Sequence, residues 1–179
     1  SPSEQLGKIR EVLLQSFTRI SRCWQEELLP HLAEAGIHIL PYKNVKPKQR
    51  SLLRRYFRKE IFPALTPLAF DPSHPFPHIS NSTINLAVVA NDPDRGECFA
   101  RIKVPALFPR LVRIPDEHQV ADDQQLGLES GQDATNFVWL EDIISDNLDL
   151  LFPGVTIQAA YYFRITRDAD FEIEEDEAG

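Results

Sequence analysis

The sequence predicts an α+β fold: an antiparallel sheet with helices packed on it, preceded by a long N-terminal helix. Three observations carry this. Leu6, Ile9, Leu13, Phe17, Ile20, Trp24 and Leu28 recur at spacings of three and four, an apolar helical stripe. "TINLAVVA" (83–90) alternates with a period of two, "NDPDRG" reads as a turn, and "ECFARIKV" (97–104) as the returning strand of a hairpin. A helical pattern, "LEDIISDNLDLLF" (140–152), then stands between the short strand "NFVWL" and a long closing strand that begins at "VTIQAAYYF". Hairpin, helix and returning strand give a sheet covered by helices on one side.

Taken in order, the first helix starts near Ser3 and is kinked or restarted at Pro30, which lacks an N–H and crowds the preceding turn. Gly36 serves as its left-handed C-terminal cap. "IHIL" (37–40) is a short strand. "PKQRSLLRRYFRKEIF" (47–62) is a helix with Pro47 in its first turn and a buried row of Leu53, Phe57 and Ile61, flanked by Leu52 and Tyr56. "RLVRIP" (110–115) is a further short strand. Residues 116–133, rich in Asp, Gln, Glu and Gly, read as a solvated loop, and Pro153-Gly154 ends the last helix. With Phe17 and Trp24 on its stripe, the first helix is too apolar to stand alone.

A chain of 179 residues is long enough for one real core. No run of about 18 apolar residues is present, so no membrane-spanning segment is expected. The opening "SPSEQLGKIREV" is read as a polar helix start, and the lack of a starting methionine as the mark of a piece cut from a longer protein. Cys23 and Cys98, far apart in unlike contexts, read as reduced buried thiols of a cytosolic protein. A net charge of −8 argues against a nucleic-acid partner for the domain as a whole. The charge is uneven, however. Residues 46–60 hold seven basic groups against the single acid Glu60, while residues 168–177 hold seven acids and no base.

The stretch "TPLAFDPSHPFPHIS" (66–80) concentrates four prolines with His74 and His78. Asp71, His74 and His78, with His31 or His38, would be the obvious metal set, since imidazole and carboxylate suit zinc or iron. Their spacing matches no recognised ligand pattern, and the prolines rigidify the loop without a metal. The simpler reading is a fixed joint in which Phe76 and Ile79 plug the core and Asn81 or Ser82 caps the turn. No nucleophile signature and no glycine-rich phosphate loop is found, so no catalytic, cofactor-binding or metal residue is assigned.

Two places remain as candidates for anion binding. Lys48, Arg50, Arg54, Arg55, Arg58 and Lys59 decorate the surface that the buried row of the second helix leaves open. They form either an ordinary solvated face or a guide for a polyanion or an acidic partner. On the closing strand, Phe163 and Ile165 face one way and Arg164 and Thr166 the other; continued alternation puts Arg167 on the apolar face beside Ala169 and Phe171. A guanidinium there needs a carboxylate (Asp168, Asp170 or Glu141) or a phosphate. The polyanion candidates are therefore Lys48, Arg50, Arg54, Arg55, Arg58, Arg164 and Arg167.

"LTPLAFDPSHPFPHISNSTINLAVV" (65–89) resembles the signature of the head, or middle, domain of the phosphohistidine-type polyphosphate kinases. "GIHIL", "RRYFRKEIFPALTPL", "FARIKVP", "PRLVRIP", "FVWLEDII", "NLDLLFPGV" and "YYFRITRDADFEIEEDEA" resemble the same family, in family order. The resemblance implies a four-part enzyme that transfers the terminal phosphoryl of ATP to polyphosphate, reversibly, with magnesium. Residues 1–35 would be the last helix of its N-terminal helical domain and residues 36–179 its head domain. The family's catalytic histidine and ATP-gripping arginines lie in C-terminal domains and a nucleotide-contacting asparagine in the opening helices, so no catalytic residue is carried over; His74 and His78 are not the phosphohistidine. The loop 116–133 and Ser82-Thr83 depart from some relatives. The resemblance further implies ATP and magnesium for the full-length enzyme and none for this fragment. It implies the remaining domains of the same polypeptide as partners, a homo-oligomer with dimer contacts in the head domain, and polyphosphate as a candidate ligand. A cytoplasmic location follows, with membrane association of the full-length enzyme as a further expectation. The rival expectation is a free-standing interaction domain that binds acidic partners through the basic helix.

Overall fold

The computed structural model describes residues 1–70, 79–94, 96–115 and 135–166. The expectations for Asp71, His74, Phe76, His78, Arg167, the 116–133 loop and the acidic tail lie outside the described residues. Helix α1 (Pro2–Arg22) opens earlier than expected. Ser1 is its cap, because Glu4 three residues on completes a reciprocal capping box with Ser1, which Ser3 could not form. Pro30 acts as foreseen, though not as a sharp kink. The helix widens into a π-type stretch, Cys23–Leu28, and resumes as α2 (Leu29–Glu34). A wider turn accommodates the missing N–H and the ring of Pro30. Gly36 follows α2 with φ 78°, the left-handed cap.

The described strands divide into two sheets instead of one. β1 (Ile37–Ile39), β6 (Thr135–Trp139) and β5 (Leu111–Arg113) form a three-stranded sheet in the order β1-β6-β5. In it β1 runs parallel to β6, with Ile37 opposite Thr135, and β5 antiparallel, with Val112 opposite Val138. The larger sheet is antiparallel, in the order β2-β4-β3-β7, from β2 (Leu68–Phe70), β3 (Ile84–Asp92), β4 (Gly96–Lys103) and β7 (Thr156–Arg164). β2 turns the start of the proline-rich stretch into an edge strand, which its prolines disguised in the sequence.

The predicted hairpin of β3 and β4 is present, with Leu86 opposite Ile102 and Val88 opposite Ala100. Its turn is set by Asp92, which accepts the Asp94 N–H at 2.8 Å, and by Gly96 at φ 78°. Beside it, β7 pairs Leu86 with Tyr162 and Val88 with Ala160. A bulge between Val89 and Ala90 then brings Ile157 opposite Ala90, so that Ile157 is kept on the inner face.

One core lies between the sheets and helices α3 (Pro47–Tyr56), α4 (Leu140–Asp146) and α5 (Leu148–Leu151). Leu53, Phe57 and Ile61 are fully buried there, as their spacing predicted, against Leu86, Val88, Ile102, Val138 and Ile143. Each such side chain contributes about 1.5–3 kcal/mol on leaving water. Ile79 is buried as well, outside that cluster. Cys23 and Cys98 are half-buried free thiols, less enclosed than the sequence suggested. By contrast α1 buries none of its residues: Leu6, Phe17 and Ile20 are 67%, 60% and 64% exposed. Among the described residues no helix is long and apolar enough to cross a membrane.

Candidate functional site

The basic helix is built by its inward row. Leu53, Phe57 and Ile61 turn into the core, and the cations of α3 and of the π-type stretch that continues it, Phe57–Ile61, stand on positions outside that row. These cations fall into two groups. Arg50 lies over the ring of Tyr42 at 5.5 Å. It donates through Nε to the Val45 carbonyl at 2.9 Å and through Nη2 to the Lys43 carbonyl. Arg54 reaches across to α5. It donates to Asn147 Oδ1 at 3.0 Å and grips both oxygens of Asp149 at 3.0 and 2.5 Å. Asn147 is fully buried and donates to the Ile143 carbonyl at 2.8 Å, so it joins α3 to the α4–α5 junction.

The electrostatics follow that latch. The bond from Arg54 holds the Asp149 carboxyl below the usual carboxylate range. Burial first, and the nearby Asp146 charge second, push the Tyr42 hydroxyl up to about 12, against the opposing pull of Arg50. Lys48, Arg55 and Arg58 form the second group. They stand exposed and make no ion pair or hydrogen bond among the described residues.

Arg164 is exposed at the end of β7, and Phe163 and Arg164 face opposite ways, as the alternation predicted. Cross-strand partners share a face, so Tyr162, opposite Leu86, and Arg164, opposite Ile84, point to the helix-bearing side. Phe163, opposite Asn85, points to the other. The alternation was correct, but the aromatic residues on both faces left the inward one unmarked. Of the seven predicted anion-binding residues, the structure thus brings Lys48, Arg55 and Arg58 to one surface. It ties Arg50 and Arg54 into the fold and sets Arg164 apart.

A second cluster was not foreseen as a unit, although the sequence singles out Trp24 and Glu141 in other roles. The Leu140 N–H bonds the Arg110 carbonyl at 2.8 Å, which seats Arg110 at the start of α4. Its Nε and Nη2 both donate to Glu141 Oε1, at 2.9 and 2.7 Å, and its guanidinium stacks on Trp139 at 4.8 Å. Trp139 in turn meets Trp24, with ring centres 6.1 Å apart. Glu141 was one expected partner of Arg167, which lies outside the described residues; it pairs with Arg110, and its side chain is only 7% exposed. The second oxygen, Oε2, is buried with no hydrogen-bond partner among the described residues. Tyr162 donates to Asp142 at 2.8 Å. Burial drives the Asp142 carboxyl above its usual range despite that bond, with the Glu141 charge adding to the rise. The signal available in the sequence was "WLEDII", a pair of acids inside an apolar run at a helix start.

Among the described residues no group of three or more His, Cys, Asp or Glu is placed to hold a metal ion. Glu141 and Asp142 are occupied by Arg110 and Tyr162, and the carboxylate of Asp149 by Arg54. These three carboxylates are thus engaged within the fold and do not gather into a magnesium site among the described residues.

Comparison with known proteins decides the family. The profile of the polyphosphate kinase middle domain matches residues 48–179. The chain belongs to the polyphosphate kinase middle-domain family. A polyphosphate kinase of Prosthecochloris aestuarii is 45% identical over 180 residues, covering all of this chain and 24% of that sequence. One of Aphanizomenon baltica is 48% identical over 179 residues, covering 99% of this chain and 45% of the relative. The crystal structure of polyphosphate kinase from Porphyromonas gingivalis superimposes with a TM-score of 0.77 at 30% identity, over 94% of this chain and 24% of that one. This middle-domain chain therefore spans about a quarter of the length of the first of these relatives.

Proposed function

We propose that this chain is the non-catalytic head module of a polyphosphate kinase that moves the terminal phosphoryl of ATP onto polyphosphate. Residues 1–35 are the last helix of an N-terminal helical domain, and residues 36–179 the head domain. The observation that carries this reading is the match of the middle-domain family over residues 48–179, with relatives aligned along the whole chain but over a minor part of themselves. The whole enzyme works with magnesium in the cytoplasm, as a homo-oligomer to which the exposed stripe of α1 and the head contribute. The head adds electrostatic guidance of the polyanion through the basic helix.

Phosphoryl transfer from labelled ATP to polyphosphate tests the reading. The full-length protein forms polyphosphate and the 179-residue chain alone does not. Turnover that tracks the purified chain, or a full-length protein with no transfer, overturns it.

A further inference from the structure

We propose that Lys48, Arg55 and Arg58 form a track along which an extended inorganic polyphosphate lies lengthwise on α3; this rests on the reading of the chain as part of a polyphosphate kinase. The buried row Leu53, Phe57 and Ile61 fixes the rotation of the helix about its axis. Lys48 and Arg55 are two turns apart and stand on one line, ~10 Å apart by helical rise. Arg58 stands beside that line, an i, i+3 neighbour of Arg55 about 60° round the helix, where the helix widens into Phe57–Ile61. Widened turns of this kind recur at functional sites.

The separation into two groups gives the surface its shape. Arg50 and Arg54 carry the same charge, but carbonyl oxygens and the Asp149 carboxylate take up their donors. What remains is the face of the helix that carries Lys48, Arg55 and Arg58, with Lys59 also exposed in the widened stretch. A flexible chain with a charge on every unit can follow such a face. Orthophosphate would meet one cation at a time. A duplex would bring its wide polyanionic surface against a protein of net charge −8 and be repelled outside the track.

Binding of end-labelled long-chain polyphosphate to the 179-residue chain, read by fluorescence anisotropy across a salt series, tests the track. The triple variant Lys48→Gln, Arg55→Gln, Arg58→Gln weakens binding at low salt by about tenfold or more. Its slope of log affinity against log salt becomes shallower by about 2, at roughly 0.7 per lost contact with a single strand. A control with the same change of net charge on α1, Lys8→Gln, Arg10→Gln, Arg22→Gln, binds as the parent does. Equal weakening by both triples reduces the effect to net charge and overturns the track, as does no weakening by either. Duplex DNA competing as well per charge overturns the assignment to polyphosphate. If the track fails while the full-length protein still makes polyphosphate, only this inference falls. If the track holds but the full-length protein makes none, the enzymatic reading falls and the surface remains.

Discussion

Trp24 and Trp139, the chain's two tryptophans, face each other at 6.1 Å with their rings tilted by 45°. Trp24 belongs to the helical arm and Trp139 to β6, so the pair reports where the arm meets the head. The two indoles will not emit independently. The spectra of Trp24→Phe and Trp139→Phe, added together, will differ from that of the parent in near-ultraviolet circular dichroism and in emission. Additive spectra would show that the arm leaves the head in solution.

The latch and the track make opposite demands on neighbouring arginines. Arg54→Ala removes the partner of a buried Asn147 oxygen and costs about 1–2 kcal/mol in urea unfolding. Arg55→Ala, on the open side, stays within about 0.5 kcal/mol of the parent. Equal losses for the two would contradict the division of α3 into bound and open cations.

Arg110→Ala strands Glu141 inside the fold and is expected to destabilise it by about 3 kcal/mol. Glu141→Gln with Arg110 intact costs less, because a neutral amide is easier to bury than an unpaired carboxylate. A double-mutant cycle on the two positions measures their coupling. Coupling near zero would mean that the pair does not form in solution.

Asp142 gives a pH dependence of a definite sign. Its folded carboxyl titrates above the unfolded value of about 3.9, so the folded state binds the proton more tightly. Stability from this group is present at low pH and falls as pH rises through the folded value. Asp142→Asn keeps an acceptor for Tyr162 and removes that fall. The variant is therefore expected to be at least as stable as the parent at neutral pH, by thermal melts over a pH series. A variant clearly less stable at neutral pH would reject this account.

Tyr42 acts at the alkaline end. The unfolded hydroxyl ionises near 10 and the folded one at about 12, so the unfolded state loses its proton first. Its contribution is complete below pH ~10 and is lost as pH climbs towards 12. Burial is the main cause, the charge of Asp146 adds to it, and Arg50 over the ring opposes both. Tyr42→Phe should flatten the alkaline limb of a pH–stability curve. Persistence of the full slope would place its origin in other tyrosines, Tyr162 first, whose hydroxyl is also raised by burial.

What was legible in the sequence was local. Spacing alone located Leu53, Phe57 and Ile61 in the core, and period-two alternation with its turn marked β3 and β4 as a hairpin. It also marked α1 as a helix with an uncovered stripe. The pairing of β1 with β6 was not legible, because strands of three and five residues far apart in the chain carry no shared pattern. Nor was the fate of the arginines. Arg54 and Arg55 are adjacent and chemically identical, and only the arrival of Asn147 and Asp149 from across the chain separates them. For β7, alternation told which residues share a face but not which face is inward, since tyrosines and a phenylalanine occupy both.

The parallel pairing of Ile37 with Thr135 joins segments more than half the chain apart. Closing so large a loop costs chain entropy that no hydrogen bond repays until the intervening hairpin and helices have shortened the path. Stepwise assembly would therefore complete the small sheet after the large one. The arm of α1 and α2, joined to the head directly through β1, would be the last part to take up its direction. Its alignment is then a record that the head behind it has finished folding.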